Sequence, residues 1–281
     1  MPIILSHYQT KPLLEQVQRG IYRSLPLSLD LGLTLSEVQP DRDGVTFPDG
    51  QCLGWEVLSS IQDSEAGCFA VENNGISKIQ VFSENSNQLF SLMATQGAPT
   101  MLISGIPMHR IQGVDPYQDT LLKVKTIHPV KGKILDTATG LGYTAIQAAK
   151  TARQVITIEI NPAALAIARQ NPWSRDLFNN PRISLVNGDS GELIAGFPDQ
   201  AFSRIIHDPP TFSLAGDLYS GEFYRQLWRV LRPGGRLFHY TGDISSKSGG
   251  STAAGAARRL VAAGFRQVTR KPQAFGLVAY K

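Results

Sequence analysis

The hydrophobic positions change rhythm partway along the chain. Near the start, Leu13, Leu14, Val17 and Ile21 recur at helical spacing and predict a short helix over 12–22. From about Leu27 to Ile106 the pattern is that of short strands. Leu29, Leu31, Leu33 and Leu35 alternate with Ser28, Asp30, Gly32 and Thr34. Further apolar runs follow at Cys52–Leu58, Cys68–Val71, Ser77–Phe82 and Thr100–Ile106. Turn-forming clusters separate them: Pro40-Asp41-Arg42-Asp43-Gly44, Pro48-Asp49-Gly50, Glu72-Asn73-Asn74-Gly75 and Glu84-Asn85-Ser86-Asn87. Short strands closed by such turns predict an antiparallel, β-rich N-terminal domain over residues 1–110.

Beyond about Asp115 strand and helix alternate. Strands are predicted at Lys133–Thr137, Val155–Ile160, Ile183–Val186, Phe202–Asp208 and Gly235–Thr241, with two closing strands near Arg266–Arg270 and Phe275–Tyr280. Helices are predicted from Thr144, Pro162, Gly221 and Ala253. This alternation predicts a second domain, residues 111–281, built on a parallel, doubly wound α/β sheet. Ligands in such sheets bind beyond the carboxyl ends of the strands, so the chemistry is expected there.

Composition narrows the classes. Of 281 residues, 42% are hydrophobic and 18% charged, which excludes a largely disordered chain. Two cysteines, Cys52 and Cys68, exclude a disulfide framework and a four-cysteine zinc site. No His, Cys and Asp set stands at metal-ligand spacing, so no metal is inferred. No run approaches the ~18 apolar residues of a membrane span, and the N-terminus lacks a secretion signal. The expectation is a cytoplasmic protein. Lys+Arg number 27 against 23 Asp+Glu, a net charge of +4. Arg258, Arg259, Arg266, Arg270 and Lys271, and a second group of Lys123, Lys125, Lys131 and Lys133, are compatible with RNA as a partner without requiring it.

The predicted strand ends carry acids. The first runs into Asp136-Thr137-Ala138-Thr139-Gly140-Leu141-Gly142-Tyr143-Thr144. Small residues at Ala138, Gly140 and Gly142 allow a tight turn and close backbone approach. The leading carboxylate would repel a pyrophosphate and suits a cationic or amine-bearing ligand. No Gly-Lys-Ser/Thr follows, which excludes a P-loop. The second strand ends in Glu159, near the offset of a ribose-binding acid; capping the next helix is its plain structural alternative. The third leads to Asp189, an acceptor for an adenine amino group or a turn carboxylate. The fourth ends in Asp208-Pro209-Pro210-Thr211-Phe212. Each proline fixes φ and removes a donor, so the segment reads as a rigid platform of acceptors, or as a rigid turn. His207 and His239 read as packed core residues.

On these residues the segment from about Lys131 to Gly242 resembles the class I S-adenosylmethionine-dependent methyltransferases, and more particularly predicted archaeal-type members. Asp136–Gly142 is similar to their first motif, with Ala138 in place of a glycine. Leu231-Arg232-Pro233-Gly234-Gly235 is similar to the turn before their fifth strand. Asp208-Pro209-Pro210 is similar to the motif of enzymes that methylate amino nitrogens, although the aromatic residue, Phe212, stands one place late, after Thr211. The resemblance implies a Rossmann-like sheet with helices on both faces. It also implies S-adenosylmethionine as cofactor, bound by Asp136, Ala138, Gly140, Gly142, Glu159, Asp189 and Asp208. Asp208 and the Pro209 carbonyl are the catalytic candidates, and the expected reaction is methyl transfer to nitrogen of an RNA base, a protein or a small amine. Tyr117, Asp119, Thr211 and Phe212 are the substrate candidates; Asp119 reads equally as the cap of a helix over 120–127. The β-rich domain would serve substrate recognition or formation of a homodimer. Three alternatives stand beside this reading: an aminopropyltransferase-like enzyme using decarboxylated S-adenosylmethionine, a non-catalytic scaffold, and last a nicotinamide dehydrogenase, which would leave Asp208-Pro209-Pro210 unexplained.

Overall fold

A computed structural model describes residues 2–210 and 216–281. The chain divides into two units: everything up to Tyr117 with Ala163–Arg175, and Gln118–Pro162 with Asp176–Lys281.

The first unit begins with β1 (Ile3–Leu5), α1 (His7–Gln18), β2 (Leu25–Leu27), β3 (Ser36–Pro40), β4 (Gly44–Thr46), β5 (Cys52–Gly54) and α2 (Trp55–Gln62). It continues through β6 (Phe69–Glu72), β7 (Gly75–Lys78), β8 (Gln80–Ser83), β9 (Gln88–Met93), β10 (Thr100–Ile103) and β11 (Ile106–Pro107). The strands form three small antiparallel sheets, in the orders β1-β6-β7, β2-β3-β4-β5 and β11-β10-β9-β8. Leu5, Leu13, Val38, Leu53, Leu58 and Ile61 lie in one buried cluster.

The predicted helix starts earlier than its apolar spacing suggests. Ser6 and Gln9 form a capping box ahead of His7, and that box sets the start. The alternating run from Leu29 to Leu35 is not a strand. The Asp30 carboxylate accepts the backbone N–H groups of Leu33 and Thr34 and the hydroxyls of Ser28 and Thr34. A side chain that gathers nearby backbone donors competes with a strand ladder and wins here, leaving Leu33 and Leu35 exposed. The Cys52–Leu58 run divides into β5 and α2, because Leu58 and Ile61 bury one helical face. The Thr100–Ile106 run is a hairpin, turned by Ser104 and Gly105 at φ 48° and 83°.

The chain then passes through α3 (Pro116–Lys125), β12 (Lys133–Asp136), α4 (Tyr143–Ala149), β13 (Gln154–Glu159), α5 (Pro162–Gln170), α6 (Arg175–Asn179), β14 (Ile183–Asn187) and α7 (Ser190–Leu193). It ends with β15 (Phe202–His207), α8 (Gly221–Val230), β16 (Leu231–Tyr240), α9 (Lys247–Ala262), β17 (Arg266–Lys271) and β18 (Gly276–Tyr280). The second unit holds a seven-stranded sheet in the order β14-β13-β12-β15-β16-β18-β17. β14 to β16 in that order are parallel, and β18 runs antiparallel to both its neighbours. Every residue of β15 is buried, as expected of a parallel strand covered on both faces. The sheet, with helices on both faces, is the Rossmann-like architecture expected. No helix among the described residues is long and apolar enough to cross a membrane.

Candidate active site

The parallel register brings three acids to neighbouring strand ends. Asp136 pairs with Thr157 on β13 and with Ile206 on β15. Glu159 and Asp208 each stand two residues further along their strands.

Asp136 is fully buried. Its Oδ2 accepts the hydroxyls of Thr144 at 2.9 Å and Thr157 at 3.1 Å. Since Thr157 donates there, its oxygen accepts the Thr139 hydroxyl at 2.7 Å. Asp136 Oδ1 is buried without a hydrogen-bond partner. Burial pushes this carboxyl up to about 7; the Thr144 and Thr157 hydroxyls and the Ala138 N–H oppose the shift, and the charge of Asp208 adds to it.

The turn after Asp136 is held by Glu159. Its Oε2 accepts the Gly140 N–H at 2.8 Å and its Oε1 the Asn161 N–H at 3.0 Å. Gly140 and Gly142 sit at φ 52° and 80°, a region where a side chain is strained. A Cβ at Gly142 would also come within 2.7 Å of Leu177. Burial raises the Glu159 carboxyl, with the Asn161, Gly140 and Ile160 N–H groups opposing. Asp189 caps α7, its Oδ1 accepting the Gly191 N–H at 2.7 Å.

Asp208 has a partner that the sequence reading placed elsewhere. Lys123 Nζ lies 2.8 Å from Asp208 Oδ2 and 3.0 Å from Asp119 Oδ2, with the Lys123 side chain only 3% exposed. Its ammonium also stands 4.6 Å from the centre of the Tyr240 ring. Lys123 therefore belongs to a buried ion triad and not to a basic surface. Burial disfavours its charge, but Asp208 and Asp119 more than offset this and raise its pKa. Burial raises the Asp208 carboxyl against the pull of Lys123. The four-residue spacing of Asp119 and Lys123 was the available signal, since such pairs meet on a helix. Asp119 is not a helix cap: α3 starts at Pro116 and Asp119 lies within its first turn. The Tyr117 N–H is instead taken by Asp115 Oδ1, at 2.8 Å. Tyr117 falls in the first unit, its ring 5.5 Å from that of Trp173. Thr211 and Phe212 lie outside the described residues.

Beneath Asp208 a neutral histidine pair fixes the strand end. His207 Nε2 faces the Leu218 carbonyl at 2.9 Å and Nδ1 faces the Thr137 hydroxyl at 2.7 Å. A carbonyl can only accept, so Nε2 carries the proton and Nδ1 accepts. His239 Nδ1 faces the His207 carbonyl at 3.4 Å, and its Nε2 lies 2.7 Å from the Tyr224 hydroxyl, which donates. Burial lowers His207 to about 3 and His239 well below the usual range. Both are packed, as expected, and unsuited to act as bases.

These residues fit S-adenosylmethionine. Asp136 offers a buried carboxylate oxygen without a partner, which an amine-bearing ligand would satisfy. The sheet order, the glycine turn and the acids at its edge are those of the Rossmann-like S-adenosylmethionine-binding fold, and residues 134–235 match the family described as a methyltransferase domain. The chain belongs to one family with the uncharacterized protein MJ1233 of Methanocaldococcus jannaschii. The two are 38% identical over 285 residues, covering 99% of this chain and 97% of that one. S-adenosylmethionine is the cofactor. The chain is also 27% identical over 190 residues to putrescine N-methyltransferase 4 of Nicotiana tabacum, covering 65% of this chain and 48% of that one. The crystal structure of spermidine synthase from Thermotoga maritima shares the fold, with a TM-score of 0.57 and 20% identity over 74% of this chain and 75% of that one.

Proposed function

We propose that the protein transfers the methyl group of S-adenosylmethionine to an acceptor nitrogen held by Asp208 and the Pro209 carbonyl. The observation that carries this reading is the state of Asp208. It stands at the end of β15, beside the Asp136 strand, with Oδ2 fixed by Lys123. Its Oδ1 is left as the acceptor for an N–H, and Pro209 and Pro210 stiffen the backbone that follows.

The cofactor, when bound, supplies an electrophilic methyl on a sulfonium. The chain's part is positional. Asp136, Glu159 and the Gly140–Gly142 turn hold the cofactor, and Asp189 receives its adenine edge. Asp208 and Pro209 accept the acceptor's N–H groups and so aim the nitrogen lone pair. As the new C–N bond forms the sulfonium C–S bond breaks, leaving a neutral thioether and a cationic nitrogen. That nitrogen then loses a proton, which Asp208 Oδ1 is placed to receive. Orientation of this kind is worth several powers of ten in rate.

A second reading, aminopropyl transfer from the decarboxylated cofactor, draws support from the likeness to spermidine synthase over 74% of the chain. Calorimetry with S-adenosylmethionine, S-adenosylhomocysteine and decarboxylated S-adenosylmethionine separates the two. Preference for the first two, followed by transfer of a labelled methyl group to an RNA, protein or metabolite fraction, supports N-methylation. Preference for the decarboxylated form would replace it with aminopropyl transfer.

A further inference from the structure

Lys123 fills a site built for an alkylammonium ion. Its Nζ lies between Asp119 and Asp208 at 3.0 and 2.8 Å and against the Tyr240 ring at 4.6 Å. Two carboxylates and an aromatic face around one ammonium is how proteins hold a cationic amine. Here the cation belongs to the chain, and both it and Asp119 are almost fully buried. Resting on the reading of Asp208 as the acceptor platform, we infer that Lys123 is a specificity-determining residue that closes this cage to alkylammonium acceptors. The acceptor class is then one whose reacting nitrogen is uncharged, such as an amide or an aromatic amino group.

An incoming ammonium would have to displace a buried one that already holds the same partners, so it gains no new contact. Lying beside Lys123 instead, it would meet a like charge. An uncharged amino group needs no counter-ion. It asks only for N–H acceptors, which Asp208 Oδ1 and the Pro209 carbonyl supply; its nitrogen is unprotonated at neutral pH, and acceptors on its N–H groups help draw the delocalised lone pair back onto nitrogen for attack.

The test is calorimetric titration of 1,4-diaminobutane into the native protein, Lys123→Met and Lys123→Arg, each with and without S-adenosylhomocysteine. Methionine keeps the length and removes the charge; arginine keeps the charge. The expected result is no saturable diamine binding by the native protein or the arginine variant, and binding at least about tenfold tighter by the methionine variant, because charge-assisted hydrogen bonds to two carboxylates become available. Diamine binding by the native protein would overturn the inference, and so would a folded Lys123→Met that gains none. Should Lys123→Met fail to fold, Lys123→Met/Asp119→Asn restores the charge balance and must bind the diamine more tightly than Asp119→Asn alone. The homocysteine arm reports separately on the cofactor pocket. If no protein binds S-adenosylhomocysteine the proposed function fails, while the diamine comparison still decides the role of Lys123.

Discussion

The ends of β12 and β15 lie on neighbouring strands of one sheet and treat a carboxylate in opposite ways. Asp136 is fully buried, with the Thr144 and Thr157 hydroxyls on Oδ2 and no cation paired with it among the described residues. Its pKa is pushed up to about 7. Asp208 sits on a lysine of its own chain at 2.8 Å. The first arrangement is incomplete without a ligand of opposite charge. The second has its counter-ion built in. The difference teaches that two acids at neighbouring strand ends can be held in opposite electrostatic settings, and the proposed function gives them different tasks, Asp136 toward the cofactor and Asp208 toward an uncharged acceptor.

Substituting each carboxylate by its amide tests that division most directly. Asp208→Asn removes the oxygen that accepts the acceptor's N–H and receives its proton. It should slow single-turnover methyl transfer by ~100-fold or more, the usual scale for a positioned acid–base group. Calorimetry should find its S-adenosylhomocysteine affinity within about threefold of native, because the proposed function turns Asp208 toward the acceptor and leaves the cofactor to Asp136 and Glu159. Asp136→Asn should do the reverse at the binding step, weakening S-adenosylhomocysteine by about tenfold, as loss of one charge-assisted hydrogen bond implies. Equal loss of cofactor affinity in both variants would break the comparison.

Much of this site was legible in the sequence, and what was not has a physical reason. Asp136, Glu159 and Asp208 were found because a parallel sheet exposes its strand ends and the alternating pattern locates them. The second unit reads well because its strands alternate with helices at regular intervals and its central strands β13 and β15 are almost wholly buried. The first reads poorly. Its strands run to six residues at most, too short for periodicity to separate a strand from an Asx-stabilised loop such as Leu29–Leu35 or from the helix at Trp55. Lys123 escaped for a different reason. A lysine's charge says nothing of its burial, and the partner that matters, Asp208, is 85 residues away in sequence. The Asp119–Lys123 spacing marks a helical pair, but only the sheet edge turns that pair into a triad.

A smaller effect sharpens the contrast through pH. Folded Asp136 holds its proton to about 7, against an ordinary value of 3.8. Below the lower value both states are protonated and the group contributes nothing. Between the two the unfolded chain ionises first, so native stability falls as pH rises, and the penalty is complete above about 7. Asp136→Asn lacks that penalty. Its Tm should exceed the native value by a few degrees above neutrality, and the gain should vanish as the pH approaches 4. The measurement has to be this difference. His207, lowered to about 3 from 6.5, works in the other direction: its contribution is present above 6.5 and lost as pH falls toward 3. A gain that stays constant with pH would mean that Asp136 is ionised and satisfied without a ligand.

The smallest expected effect isolates what the hydroxyls do. Thr144→Val keeps the shape and removes one of the two donors to Asp136 Oδ2, leaving Thr157. Above neutrality, where the carboxylate is charged, the loss should cost about 1 kcal/mol, the usual worth of a buried hydrogen bond. Below pH 5 it should cost less, because a protonated carboxyl depends less on that donor. The same substitution made in Asp136→Asn should lose the pH dependence altogether, since no charge remains for the hydroxyl to serve. A cost for Thr144→Val that is equal at pH 5 and pH 8 in the native background would assign the threonine to packing alone. Nothing in the strand end would then distinguish a carboxylate awaiting a cation from one that is merely buried.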